Sequence, residues 1–177
     1  ILAGTSPNCV SYDPTFAHEV GVILHHGLKR MVEKQENVYY YITLLNENYP
    51  MPGLQPGTEE QIIKGMYLSK QAPAIKGKSV PTVQLLGSGT ILRESFFAQE
   101  LLEKDWGVAA SVWSCPSFNE LARDGQDADR WNLLHPTDEP RVPFVTQQLG
   151  GTTGPVVAST DYMKSYAEQI RPFRSEE

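Results

Sequence analysis

A chain of 177 residues, 40% hydrophobic and 20% charged, has a globular composition and is long enough for one ordinary domain or for parts of two. Its formal charge of −6 argues against a general nucleic-acid binder, which carries a basic face. No apolar run approaches the roughly 18–20 residues that span a bilayer, and no signal-peptide pattern stands at the start.

Taken in chain order, the sequence opens on Ile1, so it reads as processed or as a piece of something longer. Asp13-Pro14 reads as a helix start, with Asp13 as cap and Pro14 at the first helical position. Phe16, Val20, Ile23 and Leu24, Gly27 and Leu28, and Met31 then recur at helical spacing. Gln35-Glu36-Asn37 closes that helix, and Val38 to Leu45 follows as a strand rich in tyrosine, isoleucine and threonine. Its nearly continuous apolar and aromatic character suits a strand covered on both faces. From Pro50 to Pro81 the chain is rich in Pro, Gly and Lys, with one short amphipathic stretch from Glu59 to Tyr67. This reads as an interdomain connector, with the boundary near Lys70 to Val80.

The pattern then restarts. Val83 to Leu86 is a predicted strand, Gly87-Ser88-Gly89 a tight turn, Ile91 to Lys104 a helix and Val108 to Trp113 the next strand. Ser117 to Ala122 and Ala128 to Leu134 read as two short helices broken at Asp124-Gly125. Pro155 to Ser159 is a third strand and Tyr162 to Ile170 a closing helix. Strands alternating with helices imply an α/β fold with right-handed βαβ units and a mainly parallel sheet.

Few motifs carry chemistry on their own. LLGSGT follows a strand, as phosphate loops do, but Leu92 stands where a full GxGxxG needs glycine and no GK[ST] follows, so a plain tight turn is favoured. Ser88 lies in no GxSxG elbow. Cys9 and Cys115 form no CxxC pair, which favours buried thiols in a reducing, cytoplasmic setting. Of the histidines, His18 and His25 share a helix face while His26 is rotated away; no HExxH exists, and packing or surface roles outweigh metal ligation. His135 precedes Pro136 and suits the negative end of a helix. Arg123, Asp124, Asp127 and Arg130 form either a solvated ion-pair face or an interface network between domains or subunits. Asn46, Glu47, Asn48 and Tyr49 end the tyrosine strand with two amides, a carboxylate and a phenol. In open α/β sheets that edge is where ligands bind, and polar capping of the next segment is the even alternative.

The phrases SYDPTFAHEV, EKQENVYYYITLLNENYPMPG, VQLLGSGTILRE, SFNELARDGQDADRWNLLHP and ASTDYMKSYAEQIR closely resemble the E1 component of the bacterial pyruvate dehydrogenase complex, of the homodimeric type in the transketolase superfamily. The resemblance covers essentially the whole chain. It implies an oxidoreductase that decarboxylates pyruvate with thiamine diphosphate and magnesium and then reductively acetylates the lipoyl group of the dihydrolipoyl acetyltransferase E2, with a second E1 subunit as partner. The cofactor is the electron sink in such chemistry, and the protein supplies binding and orientation. The resemblance implies that 1–56 are the C-terminal part of a pyrimidine-binding middle domain, 57–80 a linker and 81–177 a transketolase C-terminal-like domain.

Family members are far longer, and their GDG motif for magnesium and diphosphate does not occur in this sequence. The glutamate that activates the aminopyrimidine is expected upstream of Ile1. The isolated chain is therefore expected to be inactive, with a non-catalytic structural or dimerisation module as the alternative. A small nucleotide enzyme using the GSG turn is the remaining possibility. By resemblance, Asn46, Glu47, Asn48 and Tyr49 line a substrate channel, Tyr12 is a further candidate, and Arg123, Asp124, Asp127 and Arg130 serve an interface. Some relatives carry histidine where this chain has Pro50.

Overall fold

The computed structural model describes residues 2–73 and 80–174. Much of the expected 70–80 boundary, residues 74–79, lies outside the described residues. The elements run α1 (Leu2–Thr5), β1 (Cys9–Tyr12), α2 (Ala17–Leu28), β2 (Tyr39–Ile42), α3 (Glu59–Lys64), β3 (Tyr67–Lys70), β4 (Thr82–Gly87), α4 (Ile91–Leu101), β5 (Ala109–Ser114), α5 (Phe118–Leu134), α6 (Phe144–Leu149), β6 (Val156–Ser159) and α7 (Lys164–Glu168). Two sheets result. β1 and β2 pair in parallel, with Cys9 opposite Tyr39 and Tyr12 opposite Ile42. The second sheet has the order β3-β5-β4-β6, parallel throughout except for β3, which runs antiparallel to β5. The fold is α/β with mainly parallel sheets and flanking helices, as the alternating pattern requires.

β4 and β5 are covered on both faces, which explains their continuous apolar runs. On one face Leu86 and Trp113 pack with Phe118, Leu121, Phe144 and Phe173. On the other, Val83, Leu85, Ala110 and Val112 pack with Leu92 of α4 and with Phe16. The first sheet has its own core of Val10, Tyr12 and Ile23, joined by Ile62 of α3 and Tyr67 of β3. Phe16 and Tyr67 therefore each reach into the core of the other sheet.

Several expectations are corrected. Asp13 does not cap α2; Phe16 is the N-cap residue, and the Glu19 carboxylate accepts the N–H groups of Thr15 and Phe16. The carboxylate folds back from the first turn onto the N–H groups of the N-cap residue and its predecessor, fixing the entry of the chain into the helix. β2 is covered on one face only: Tyr40 packs on Gly27 of α2, while Tyr39 and Tyr41 are exposed. β1 escapes the sequence pattern because its four buried residues show no alternation. The connector holds α3 and the edge strand β3, whose antiparallel pairing needs no long apolar run.

The two helices expected on either side of Asp124-Gly125 are one, α5. Its glycine is demanded by packing, since a Cβ on Gly125 would collide with the Phe173 ring. The Asp124 carboxylate meanwhile accepts the Phe144 N–H, anchoring α6. The closing helix is shorter than expected, Lys164–Glu168, followed by a 3-10 turn at Arg171–Phe173.

Candidate functional site

The carboxyl-terminal tips of the two sheets face each other. Asp13, directly after β1, donates its N–H to Pro116 O beyond β5 and accepts the Gly89 N–H beyond β4. Thr15 Oγ1 donates to Gly89 O at 2.6 Å, and Thr43 Oγ1, just past β2, donates to Asp13 Oδ1 at 2.5 Å. On the far side Ser88 Oγ donates to Thr160 Oγ1 and Thr90 Oγ1 to Asp161 Oδ2. The Gly87-Ser88-Gly89 turn expected from the sequence therefore sits at the centre of this junction.

Beside it lies a cavity of about 730 Å³, bordered by Ser11, Asp13, Tyr41, Thr43, Asn119 and Tyr166 among others. Its size suits a small-molecule site. Burial pushes the Asp13 carboxyl above the usual aspartate range, against the lowering effect of the Thr43 hydrogen bond. Burial also raises Tyr166 and Tyr162. Tyr12 borders this cavity, but its hydroxyl turns inward to Ile63 O at 2.7 Å and its ring stacks on Tyr40. Burial pushes its phenol far up, so it serves the core as a neutral hydrogen-bond donor.

Asn46, Glu47, Asn48 and Tyr49 do not share that cavity. The strand ends at Ile42, and these four lie in an extended segment beyond it. Asn46, Glu47 and Asn48 are exposed; Glu47 Oε2 accepts from Arg93 of α4 at 3.0 Å. The Tyr49 hydroxyl donates to Thr15 O, its ring meets Phe16 edge-on, and the Arg93 guanidinium lies 4.5 Å above it. Burial raises the Tyr49 phenol.

Tyr49 and Arg93 border a second cavity of about 380 Å³, shared with His18, Pro50, Tyr67, Lys70 and Phe96. Sequence reasoning missed Arg93, whose signal lay only in its place one turn after the GSG loop. His18, expected to pack, does so through both ring nitrogens.

Arg123 joins α5 to the first sheet: it donates to Cys9 O and Ser6 O, each at 2.8 Å, and to Glu120 Oε1 at 2.7 Å. These contacts lie within one chain. Asp127 and Arg130 are exposed on the same helix. Cys9 and Cys115 are buried free thiols. Among the described residues no three His, Cys, Asp or Glu side chains converge on one point. No helix of the described residues is long and apolar enough to cross a membrane.

Residues 65–176 match the model of the transketolase-like TK C-terminal domain. The chain belongs to that family. Residues 1–52 match the pyruvate dehydrogenase E1 component middle domain. Curated proteins called pyruvate dehydrogenase E1 component are similar over almost the whole chain. The Escherichia coli protein is 58% identical over 96% of this chain and 18% of its own length. Those of Pseudomonas aeruginosa (56%, over 97% and 19%) and Cupriavidus necator (54%, over 94% and 18%) are alike. The chain thus spans about a fifth of the length of these relatives. A solved transketolase variant from Pichia stipitis has a TM-score of 0.48 over 96% of this chain and 23% of that chain, at 16% identity. The transketolase-like C-terminal segment accounts for the sheet β3-β5-β4-β6, and the E1 middle-domain segment for β1, α2 and β2.

Proposed function

We propose that this chain is a segment of a thiamine-diphosphate-dependent pyruvate dehydrogenase E1. The whole protein would decarboxylate pyruvate and pass the acetyl unit reductively to the lipoyl group of an acetyltransferase E2. The observation that carries this reading is identity of 54–58% to E1 components across nearly all 177 residues. Thiamine diphosphate supplies the electron sink when bound.

What these residues do is shape and position. The Asp13–Gly89 junction locks the carboxyl ends of the two sheets together. Tyr49, Arg93 and Glu47 hold the segment after β2 against α4, where Asn46 to Tyr49 would line part of a substrate channel. Tyr12 would support the wall of the first cavity from the core. We place the end of the middle domain near 56 and the C-terminal domain at 81–177, with β3 of the intervening 57–80 added to its sheet edge. Asp127 and Arg130 remain open for contact with a second E1 subunit, while Arg123 and Asp124 brace the helix that presents them. A cytoplasmic location accords with the two free buried cysteines.

The test is pyruvate turnover. With thiamine diphosphate and magnesium, the whole protein should release CO2 from pyruvate and acetylate a lipoyl domain, whereas the purified 177-residue chain should do neither. Turnover by the isolated chain would overturn the division of labour proposed here.

A further inference from the structure

β2 turns its tyrosines to two sides. Tyr40 packs on Gly27 of α2, so alternation along the strand sends Tyr39 and Tyr41 to the opposite face, where they are 48% and 56% exposed. Both border the cavity of about 730 Å³ beside the Asp13 junction, as do Tyr162 and Tyr166 from beyond β6. The Tyr162 and Tyr166 rings meet edge to face at 4.9 Å, and Tyr166 meets Phe118 of α5 at 5.5 Å. Burial raises both phenols, so they stay uncharged at neutral pH. Four tyrosine rings from two distant parts of the chain thus border one cavity.

Asp13 borders the same cavity and is only partly buried. Its N–H and C=O are both spent, on Pro116 and Gly89, which leaves the carboxylate to face the cavity. Oδ1 accepts from Thr43 Oγ1 at 2.5 Å, and a carboxylate has room for about four hydrogen bonds. The charged side chains that act on Asp13 are Asp161, from beyond β6, and Glu19 of α2, and both raise its pKa. Tyr162 lies at the meeting point, since Asp13, Tyr41 and Asp161 all act on its phenol. Among the described residues bordering the cavity there is no Lys, Arg or His. The carboxylate therefore has aromatic rings around it and no positive charge to answer it.

Carboxylates withdrawn from water are ordinarily paired with a cation. Aromatic faces attract cations too, more strongly as water is excluded. Together they select a positively charged organic group, whose charge answers Asp13 while its C–H surface packs on the rings. A hard divalent metal ion prefers a cage of about six oxygens, whereas this wall is largely aromatic carbon. An anion would meet the fields of Asp13 and Asp161 with nothing to offset them.

We propose that this cavity is a binding site for a small organic ammonium, seated over the Asp13 carboxylate between the rings of Tyr41 and Tyr162. The site is separate from the cavity at Tyr49 and Arg93. Asp13 also joins the tip of β1 to Gly89 and Pro116, so the bound cation would reinforce the junction between the two sheets. This goes beyond the function proposed above, and its test reads binding alone, so no outcome turns on pyruvate turnover.

The test is calorimetric titration of the whole protein with three probes of one shape: benzylammonium, benzyl alcohol and benzoate. Benzylammonium should bind at a single saturable site at least about tenfold tighter than the alcohol, and benzoate should not bind. Its affinity should fall in acid as Asp13 takes up a proton. Tyr41→Leu changes an exposed position, so the fold should keep its melting temperature while benzylammonium binding weakens about tenfold. Asp13→Asn should abolish the preference for ammonium over alcohol. Equal affinity for ammonium and alcohol overturns the proposal, and so does ammonium binding that neither substitution changes. Failure of all three probes to bind overturns it as well, and would show that the whole protein fills this cavity with its own residues.

Discussion

The Gly89 N–H donates to Asp13 O at 3.0 Å, and the Asp13 carboxylate occupies the space a side chain on Gly89 would need. Gly89 has φ +53, and a Cβ there would fall 2.6 Å from Asp13 Oδ2. This one contact closes the junction between the β1 tip and the turn after β4. Gly89→Ala should therefore cost at least about 1–2 kcal/mol from the left-handed backbone alone, and more from displacing Asp13. Urea unfolding monitored by circular dichroism checks it.

Asp13 itself makes stability depend on pH. Burial raises its pKa in the folded state, so the native protein holds this proton more tightly than the unfolded chain does. The resulting penalty is absent below the ordinary aspartate value of about 3.9 and grows as pH rises through the elevated native value. Asp13→Asn should therefore raise the melting temperature at pH 7.5 relative to wild type, and the gain should vanish by about pH 3.5. Melting curves across that range decide it; a gain that is largest in acid would contradict the assignment.

Glycines on two helices should respond in opposite directions. Gly21 on α2 is exposed with nothing within 4 Å of an added Cβ, so Gly21→Ala should stabilise by about 0.5–1 kcal/mol. On Gly125 of α5 the same methyl would run into the Phe173 ring, so Gly125→Ala should destabilise by about 1–3 kcal/mol despite the better helix propensity. Thermal melts of the two variants side by side are sufficient.

The buried Glu19 ties α2 to β3 and β5 through Tyr67 and Ser114. Glu19→Ala would orphan the Thr15 and Phe16 N–H groups and the Ser114 hydroxyl, each costing about 1–3 kcal/mol when left unpaired, while the Tyr67 hydroxyl keeps His18 Nε2 at 3.1 Å. A loss of at least about 3 kcal/mol is expected by chemical denaturation. A loss below about 1 kcal/mol would show that water replaces the carboxylate.

What was readable in the sequence follows from where packing agrees with local pattern. β4, α4 and β5 are legible because a doubly covered parallel sheet makes its strands apolar throughout and its crossover helix amphipathic. α5 misleads because Gly125 breaks helices by propensity, while the reason for it, Phe173, lies 48 positions later in the chain. The Asp13 cap fails for a similar reason: its carboxylate is claimed by Thr43, from beyond another strand, and Glu19 takes the helix start. In the site, Tyr49 is legible as an aromatic with a polar tip, yet its partners Arg93 and Phe16 come from other elements. The partner of His18 was not legible, since Tyr67 comes from a strand hidden in the Pro- and Gly-rich connector.

Everything proposed for the site assumes that this chain can serve as the corresponding fifth of a pyruvate dehydrogenase E1. The decisive experiment replaces the matching segment of the Escherichia coli E1 component with this chain and assays CO2 release from pyruvate together with acetylation of a lipoyl domain. Activity within about tenfold of the parent is expected, a loss of no more than about 1.4 kcal/mol in transition-state stabilisation. A hybrid that folds and binds thiamine diphosphate, yet neither decarboxylates pyruvate nor acetylates the lipoyl domain, would refute that assumption.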